Sequence, residues 1–144
     1  ALDPQDATAW QRMGYTLACM GKNEDAVACC DEALRQDPDH ILALQSKGWV
    51  LGVMCRYDDA AACYEAVLTI DPERGSAAWH RERMRERRDL EALASEIREA
   101  ERIVDLPACI REVVRERDYG NVELARAVLR ELVGRAERAA VQGR

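Results

Sequence analysis

The stretch QDPDHILALQSKG, from Gln36 to Gly48, joins an Asp-Pro pair to a polar pair and then to an apolar run. The same pair stands at Asp3-Pro4 and at Asp71-Pro72, so the three prolines are 34 residues apart. Superposing residues 5–38 on residues 39–72 gives twelve identities in 34 positions. Chance at ordinary composition gives roughly two or three. The first half of the chain is therefore an internal repeat, and its period decides the fold.

Each repeat predicts a pair of helices. Residues 7–20 place apolar side chains three or four positions apart, and residues 24–36 carry a second stripe of the same kind. Gly21 is a typical end for the first helix, and Pro38 ends the second because the residue before a proline avoids the helical region. The second repeat predicts helices over 41–54 and 57–70, with a turn at Cys55-Arg56.

This pattern resembles the tetratricopeptide repeat, whose 34-residue motif reads W-x2-L-G-x2-Y, then A-x3-F, then A and P. The matching positions are Trp10, Met13, Gly14, Leu17, Ala26, Cys30, Ala33 and Pro38 in the first unit, and Leu44, Lys47, Gly48, Leu51, Ala60, Tyr64, Val67 and Pro72 in the second. The small residues glycine and alanine stand at the positions where two helices cross closely. The resemblance implies an all-α fold, a right-handed superhelical solenoid of antiparallel helix hairpins.

The repeat pattern weakens beyond Pro72. We interpret residues 1–72 as two regular repeats, preceded at Asp3-Pro4 by the end of a unit that the sequence does not contain. Residues 73–144 are interpreted as divergent helix pairs with a C-terminal capping helix, in one continuous solenoid. The third unit reads as out of register, with one inserted residue. Residues 76–104 form either one helix, since no Gly or Pro interrupts them, or two helices. We favour two helices with a break near Arg88-Asp89, because Asp89 is a good N-cap residue.

Residues 106–118 and 122–140 predict a last helix pair, with Gly120 placed before Ala125 as Gly21 is before Ala26. On the final helix, the pattern predicts a polar outer face at Glu123, Arg126, Arg130 and Glu137. It predicts an inward face at Leu124, Val128, Leu129, Leu132 and Val133.

Composition and motifs narrow the class of function. The net charge is −6, with 13 acids and 5 bases in residues 1–73 but 14 acids and 16 bases in residues 74–144, which argues against a general nucleic-acid binder. No nucleophile, zinc-protease or phosphate-loop motif occurs, so we predict no enzyme activity and no cofactor. The six cysteines form no C-x-x-C pair, and most lie at apolar helical positions. They predict buried thiols, no metal site and a reducing, cytoplasmic compartment. Because no apolar run approaches 18 residues, we also predict no membrane span.

The resemblance implies a protein–protein interaction module, an adaptor or scaffold that holds a partner peptide on its concave face. Carried over by position, the groove residues are Gln11, Tyr15, Gln45, Trp49 and Met84. Tyr15 and Trp49 occupy equivalent positions, each beside a glutamine. Aromatic side chains dominate binding hot spots, and a glutamine can hydrogen-bond a peptide backbone. The alternative is that both rings simply pack against the neighbouring repeat.

Two other functions stay open at this stage. Arg81, Arg85 and Arg88 fall within about 60° of one another on a helix, and this basic stripe would suit RNA or an acidic partner. The alternative is a solvated face with partial pairing to nearby glutamates. A homodimer is the other possibility, because a chain that continues an array exposes apolar surface where its missing neighbour would pack.

Overall fold

The computed structural model describes residues 6–143, and every regular element in that range is helical. The predicted all-α class is therefore confirmed. The α-helices are α1 Ala7–Cys19, α2 Asn23–Gln36, α3 Ile41–Val53, α4 Tyr57–Ile70, α5 Gly75–Ala100, α6 Ala108–Arg115 and α7 Val122–Gln142, with a 3₁₀ turn at Tyr119–Asn121. The Asp3-Pro4 pair lies outside the described residues, so the seam predicted there stays a prediction.

The two predicted repeats are two helix hairpins, α1 with α2 and α3 with α4, and α2 also packs on α3. Asp6 caps α1, because its carboxylate accepts hydrogen bonds from the backbone N–H groups of Thr8 and Ala9 at 2.9 and 3.1 Å. Asp37 is extended and ends α2 before Pro38, as the sequence predicts. Between the hairpins, the Lys47 ammonium pairs with the Asp31 carboxylate at 2.6 Å.

Small residues allow the helices of each hairpin to approach closely. A Cβ placed on Gly14 would lie 3.0 Å from the carbonyl oxygen of Ala26 and 3.0 Å from the sulfur of Cys30. A Cβ on Gly48 would lie 3.0 Å from the Tyr64 ring. The alanines opposite, Ala26 and Ala60, have no exposed surface. The reason that the sequence suggests for these small residues is therefore confirmed.

Helix α5 runs from Gly75 to Ala100 without interruption, so the break favoured near Arg88-Asp89 is wrong and the one-helix alternative is right. Asp89 caps nothing. Its carboxylate instead accepts from the Arg88 guanidinium at 2.9 Å, and its carbonyl oxygen accepts a further hydrogen bond from Arg126 at 3.3 Å. No glycine or proline follows Gly75 within the helix, so nothing in its backbone requires a stop.

The chain forms two compact units that divide between Arg85 and Glu86. The core of the first unit is built from the hairpins and the start of α5, and it includes Leu51, Tyr64, Val67 and Ala77. The core of the second unit joins the end of α5 to α6 and α7. Its buried members are Leu90, Leu93, Ile97, Ala100, Leu106, Ile110, Val122, Ala125 and Leu129.

The last helix pair exists, and Gly120 lies in the 3₁₀ turn directly before α7. The left-handed backbone of this connection is at Arg117, where φ is 53°. The inward and outward faces of α7 differ in part from the prediction. Leu124 is 64% exposed and Val128 is exposed as well, whereas the Arg126 side chain is only 12% exposed.

Candidate functional site

Tyr15 of α1 and Trp49 of α3 lie side by side. Their ring centroids are 6.2 Å apart, and the ring planes are inclined by 35°. Tyr15 is 54% exposed and Trp49 is 42% exposed. The rings therefore contact each other across two repeats while keeping about half of their surface open, and we call this pair the aromatic face.

The two glutamines beside the aromatic face already have partners within the chain. Gln11 is buried, and its amide nitrogen donates to the Ser46 hydroxyl at 3.0 Å, which ties α1 to α3. The Gln45 amide oxygen accepts from the Arg74 guanidinium at 3.3 Å. Hydrogen bonds within the chain thus fix both glutamine side chains, and Gln45 is the more solvent-accessible of the two.

Helix α5 begins in the 34-residue register of the two hairpins, because α1, α3 and α5 begin at residues 7, 41 and 75. The position equivalent to Tyr15 and Trp49 is therefore Arg83. Met84, which the sequence placed in the groove, is buried in the core of the first unit, where its sulfur would lie 2.8 Å from a Cβ on Gly52.

Trp79 is a candidate that the sequence interpretation missed. It is 56% exposed and occupies the position of Gln11 and Gln45 one repeat later. The Arg83 guanidinium lies 5.3 Å from its ring centroid, which is a cation–π distance. The unbroken 34-residue register was the signal for Trp79, and assuming an inserted residue in this unit concealed it.

The three arginines of the predicted basic stripe all have carboxylate neighbours. Arg81 pairs with Glu65 of α4 at 2.8 Å, and Arg85 approaches the same carboxylate at 3.8 Å. Arg88 belongs to the second unit and pairs with Asp89 at 2.9 Å. Part of the positive charge that would attract an acidic ligand is therefore balanced locally.

The comparison with protein-family models identifies the repeat. The tetratricopeptide repeat model matches residues 7–40, a range that holds α1, α2 and the turn after them. Residues 7–40 are a tetratricopeptide repeat. The match supports the family assignment that the sequence predicts for this chain. The comparison with curated proteins gives no match.

Charge is distributed unevenly between the two helices of each hairpin in the first unit. The first helices, α1 and α3, contain no acidic residue, and each contains one basic residue, Arg12 and Lys47. The second helices contain four acids in α2 and three in α4. The aromatic face therefore lies on the helices without acidic residues.

The cysteines divide into two groups, so the prediction that most are core residues holds for only half of them. Cys29, Cys30 and Cys63 of the two helix hairpins are buried, whereas Cys19, Cys55 and Cys109 are exposed. Burial raises the pKa of the Cys30 thiol to about 12, which keeps it protonated and unreactive near neutral pH. Within residues 6–143 no three His, Cys, Asp or Glu side chains are grouped as metal ligands would be. In the same range, no helix is both long and apolar enough to cross a membrane.

Proposed function

We propose that the aromatic face binds a peptide segment of a partner protein. Tetratricopeptide repeats generally mediate protein–protein interactions, and they are generally not catalytic. The observation that carries the proposal is the Tyr15–Trp49 pair, two large aromatic side chains that contact each other and remain half exposed. Exposed aromatic side chains of this kind supply much of the binding energy at protein interfaces.

Two further features support a peptide ligand. Gln11 and Gln45 fix the neighbouring surface through hydrogen bonds within the chain, so the rings need little rearrangement on binding. Trp79, with Arg83 over its ring, adds an exposed aromatic side chain on the first helix of the next repeat. A segment with apolar side chains spaced along its length suits such a series.

The charges on α1 and α3 indicate the chemistry of the partner peptide that the aromatic face binds. Since α1 and α3 carry no carboxylate, nothing on them repels an acidic peptide, and the exposed Arg12 attracts one. The preferred ligand is therefore an apolar segment with neutral or acidic flanks. The alternative of an RNA ligand for the basic stripe gains no support, because Arg81 and Arg85 pair with Glu65.

Affinity capture with the whole chain tests the proposal. The Tyr15→Ala/Trp49→Ala variant should lose the partners that the unchanged chain captures, whereas Ile70→Ala, an exposed apolar residue of α4, should retain them. Thermal unfolding and light scattering verify that all three proteins are folded and of equal size. If the double variant captures the same partners, the aromatic face is not the binding site.

A further inference from the structure

A groove of about 460 Å³ lies between α6 and α7 in the second unit. Ile110 and Val113 of α6 face Leu124 and Val128 of α7 across it, and the exposed Cys109 stands at its edge. We call it the α6–α7 groove. It shares no residue with the aromatic face, so its role is independent of the function proposed above.

The apolar wall of the groove is a consequence of how α7 is oriented. Arg126 points inward, where its guanidinium donates to the Glu96 carboxylate at 3.0 Å and to the Asp89 carbonyl oxygen at 3.3 Å. Residues two positions from Arg126 are rotated by about 200° around the helix axis, so they lie on nearly the opposite side of α7. Leu124 and Val128 are therefore directed outward, and the polar contacts of Arg126 leave two apolar side chains exposed one turn apart.

The charged residues that line the groove are all acidic. Glu112, Glu116 and Asp118 line it, and no basic residue does. Arg115 contacts both glutamates at 3.5 and 3.3 Å from outside the lining, and Asn121 donates to Asp118 at 2.6 Å. Three carboxylates against one arginine leave this edge negative, so it complements a cationic partner.

The first unit shows how this chain covers the surface of a hairpin. Helix α3 packs on α1 and α2 with Val50 buried against Ala18 and Ala26. Beside that apolar contact, the Lys47 ammonium pairs with the Asp31 carboxylate of α2. A helix with an apolar stripe and a flanking lysine is thus the kind of element that covers a helix pair with an acidic edge here.

We propose that the α6–α7 groove binds a cationic amphipathic helix of a partner protein. The apolar stripe of the partner helix lies on Val113, Leu124 and Val128. The lysines or arginines of that helix face Glu112 and Glu116. An apolar helix in a groove between two helices is a recurrent mode of peptide recognition, and a charged rim sets its specificity.

Two synthetic helices test the proposal on the whole chain. One carries leucines at i, i+3, i+4 and i+7 with lysines between them, and the other carries glutamates in place of the lysines. Each is titrated by fluorescence anisotropy, and alkylation of Cys109 is followed by mass spectrometry, with the exposed Cys19 and Cys55 as internal references. The lysine helix should bind and slow alkylation of Cys109 relative to the other two thiols.

Substitutions separate the groove from general attraction to an acidic protein. Leu124→Gln/Val128→Gln should weaken binding of the lysine helix at least about tenfold, and Glu112→Gln/Glu116→Gln should weaken it and reduce its dependence on salt. Val141→Gln, an exposed apolar position of α7 outside the groove, is the matched control and should bind as the unchanged chain does.

Three outcomes would overturn the proposal. The first is equal binding of the lysine and glutamate helices, or binding of neither. The second is a Leu124→Gln/Val128→Gln variant that binds the lysine helix unchanged. The third is protection of Cys109 that rises with the concentration of the chain alone, since a second copy would then occupy the groove.

Discussion

Cys55 adopts the same left-handed backbone conformation as Gly21, the residue that precedes it by one repeat. Their φ angles are 60° and 76°, and each follows the first helix of its hairpin. In both turns the next backbone N–H donates to a carbonyl four residues before the left-handed position, from Lys22 to Leu17 and from Arg56 to Leu51, at 2.9 Å. The geometry of the helix end is therefore kept in both repeats, although only the first uses glycine for it.

Cys55→Gly is expected to stabilise the protein. A residue with a Cβ in the left-handed region costs roughly 1 kcal/mol, and part of the gain is lost to the greater freedom of glycine in the unfolded chain. The free energy of unfolding in urea should therefore rise by about 0.5 kcal/mol. Cys55→Ala, which removes the thiol but keeps the Cβ, should give no such gain. A lower stability for Cys55→Gly would contradict the account.

Gly14→Ala should destabilise the first unit. The added methyl group would meet the Ala26 carbonyl oxygen at 3.0 Å, and because that atom belongs to the backbone, the two helices must separate. Overpacking of this kind costs about 1–3 kcal/mol. Gly75→Ala is the control, since nothing lies within 4 Å of its Cβ. Denaturant unfolding compares the two variants, and equal stabilities would show that the close crossing has no energetic role.

The repeats could be predicted because each position of their motif has a local physical cause. Gly14 and Gly48 mark helix crossings, the Asp-Pro pairs mark helix ends, and the apolar spacing marks the buried faces. These signals depend on neighbours within one hairpin, and the sequence displays them twice. The aromatic positions followed from the same register, and so would Trp79 if the register had been carried on to α5.

The second unit was harder to predict because its contacts connect distant parts of the chain. Arg126 looks like a surface residue on α7, but it lies on the same face as the buried Val122 and Leu129 and pairs with Glu96, 30 residues earlier. That orientation leaves Leu124 and Val128 exposed, although a helical pattern alone assigns them to the core. Asp89 is a similar case, since a good N-cap residue does not end a helix that has no glycine or proline.

The thiols should react in two groups of three. Cys19, Cys55 and Cys109 are exposed, whereas Cys29, Cys30 and Cys63 are buried. A thiol reagent at pH 8 should therefore label three cysteines rapidly in the native protein and all six in denaturant. Mass spectrometry of the labelled peptides identifies the sites. Rapid labelling of Cys30 without denaturant would show that the first hairpin is open.

Stability should fall as the pH rises above about 9, because the unfolded chain then loses thiol protons that the folded chain retains. Burial raises the pKa of Cys30 from 9.0 to about 12, and burial raises the pKa of Tyr64 from 10.0 to about 12. Each group contributes its full stabilisation below its unfolded pKa and loses it as the pH rises toward its folded pKa. One such group gives a slope of about 1.4 kcal/mol per pH unit. Urea unfolding between pH 8 and pH 11 measures the slope, and a flat profile would contradict the burial of these groups.

Arg126→Ala should destabilise the second unit selectively. Its guanidinium is nearly buried and contacts Glu96 at 3.0 Å, Glu123 at 2.6 Å and the Asp89 carbonyl oxygen at 3.3 Å. Losing charged hydrogen bonds of this kind costs about 1–3 kcal/mol. The exposed Arg130, one turn later on α7, is the control, and its change to alanine should alter stability by less than about 0.5 kcal/mol. Hydrogen exchange should accelerate in residues 86–143 of Arg126→Ala and stay unchanged in the two hairpins of the first unit. Equal effects of the two substitutions would mean that the contacts of Arg126 do not determine the orientation of α7, and the account of its exposed leucine and valine would then fail.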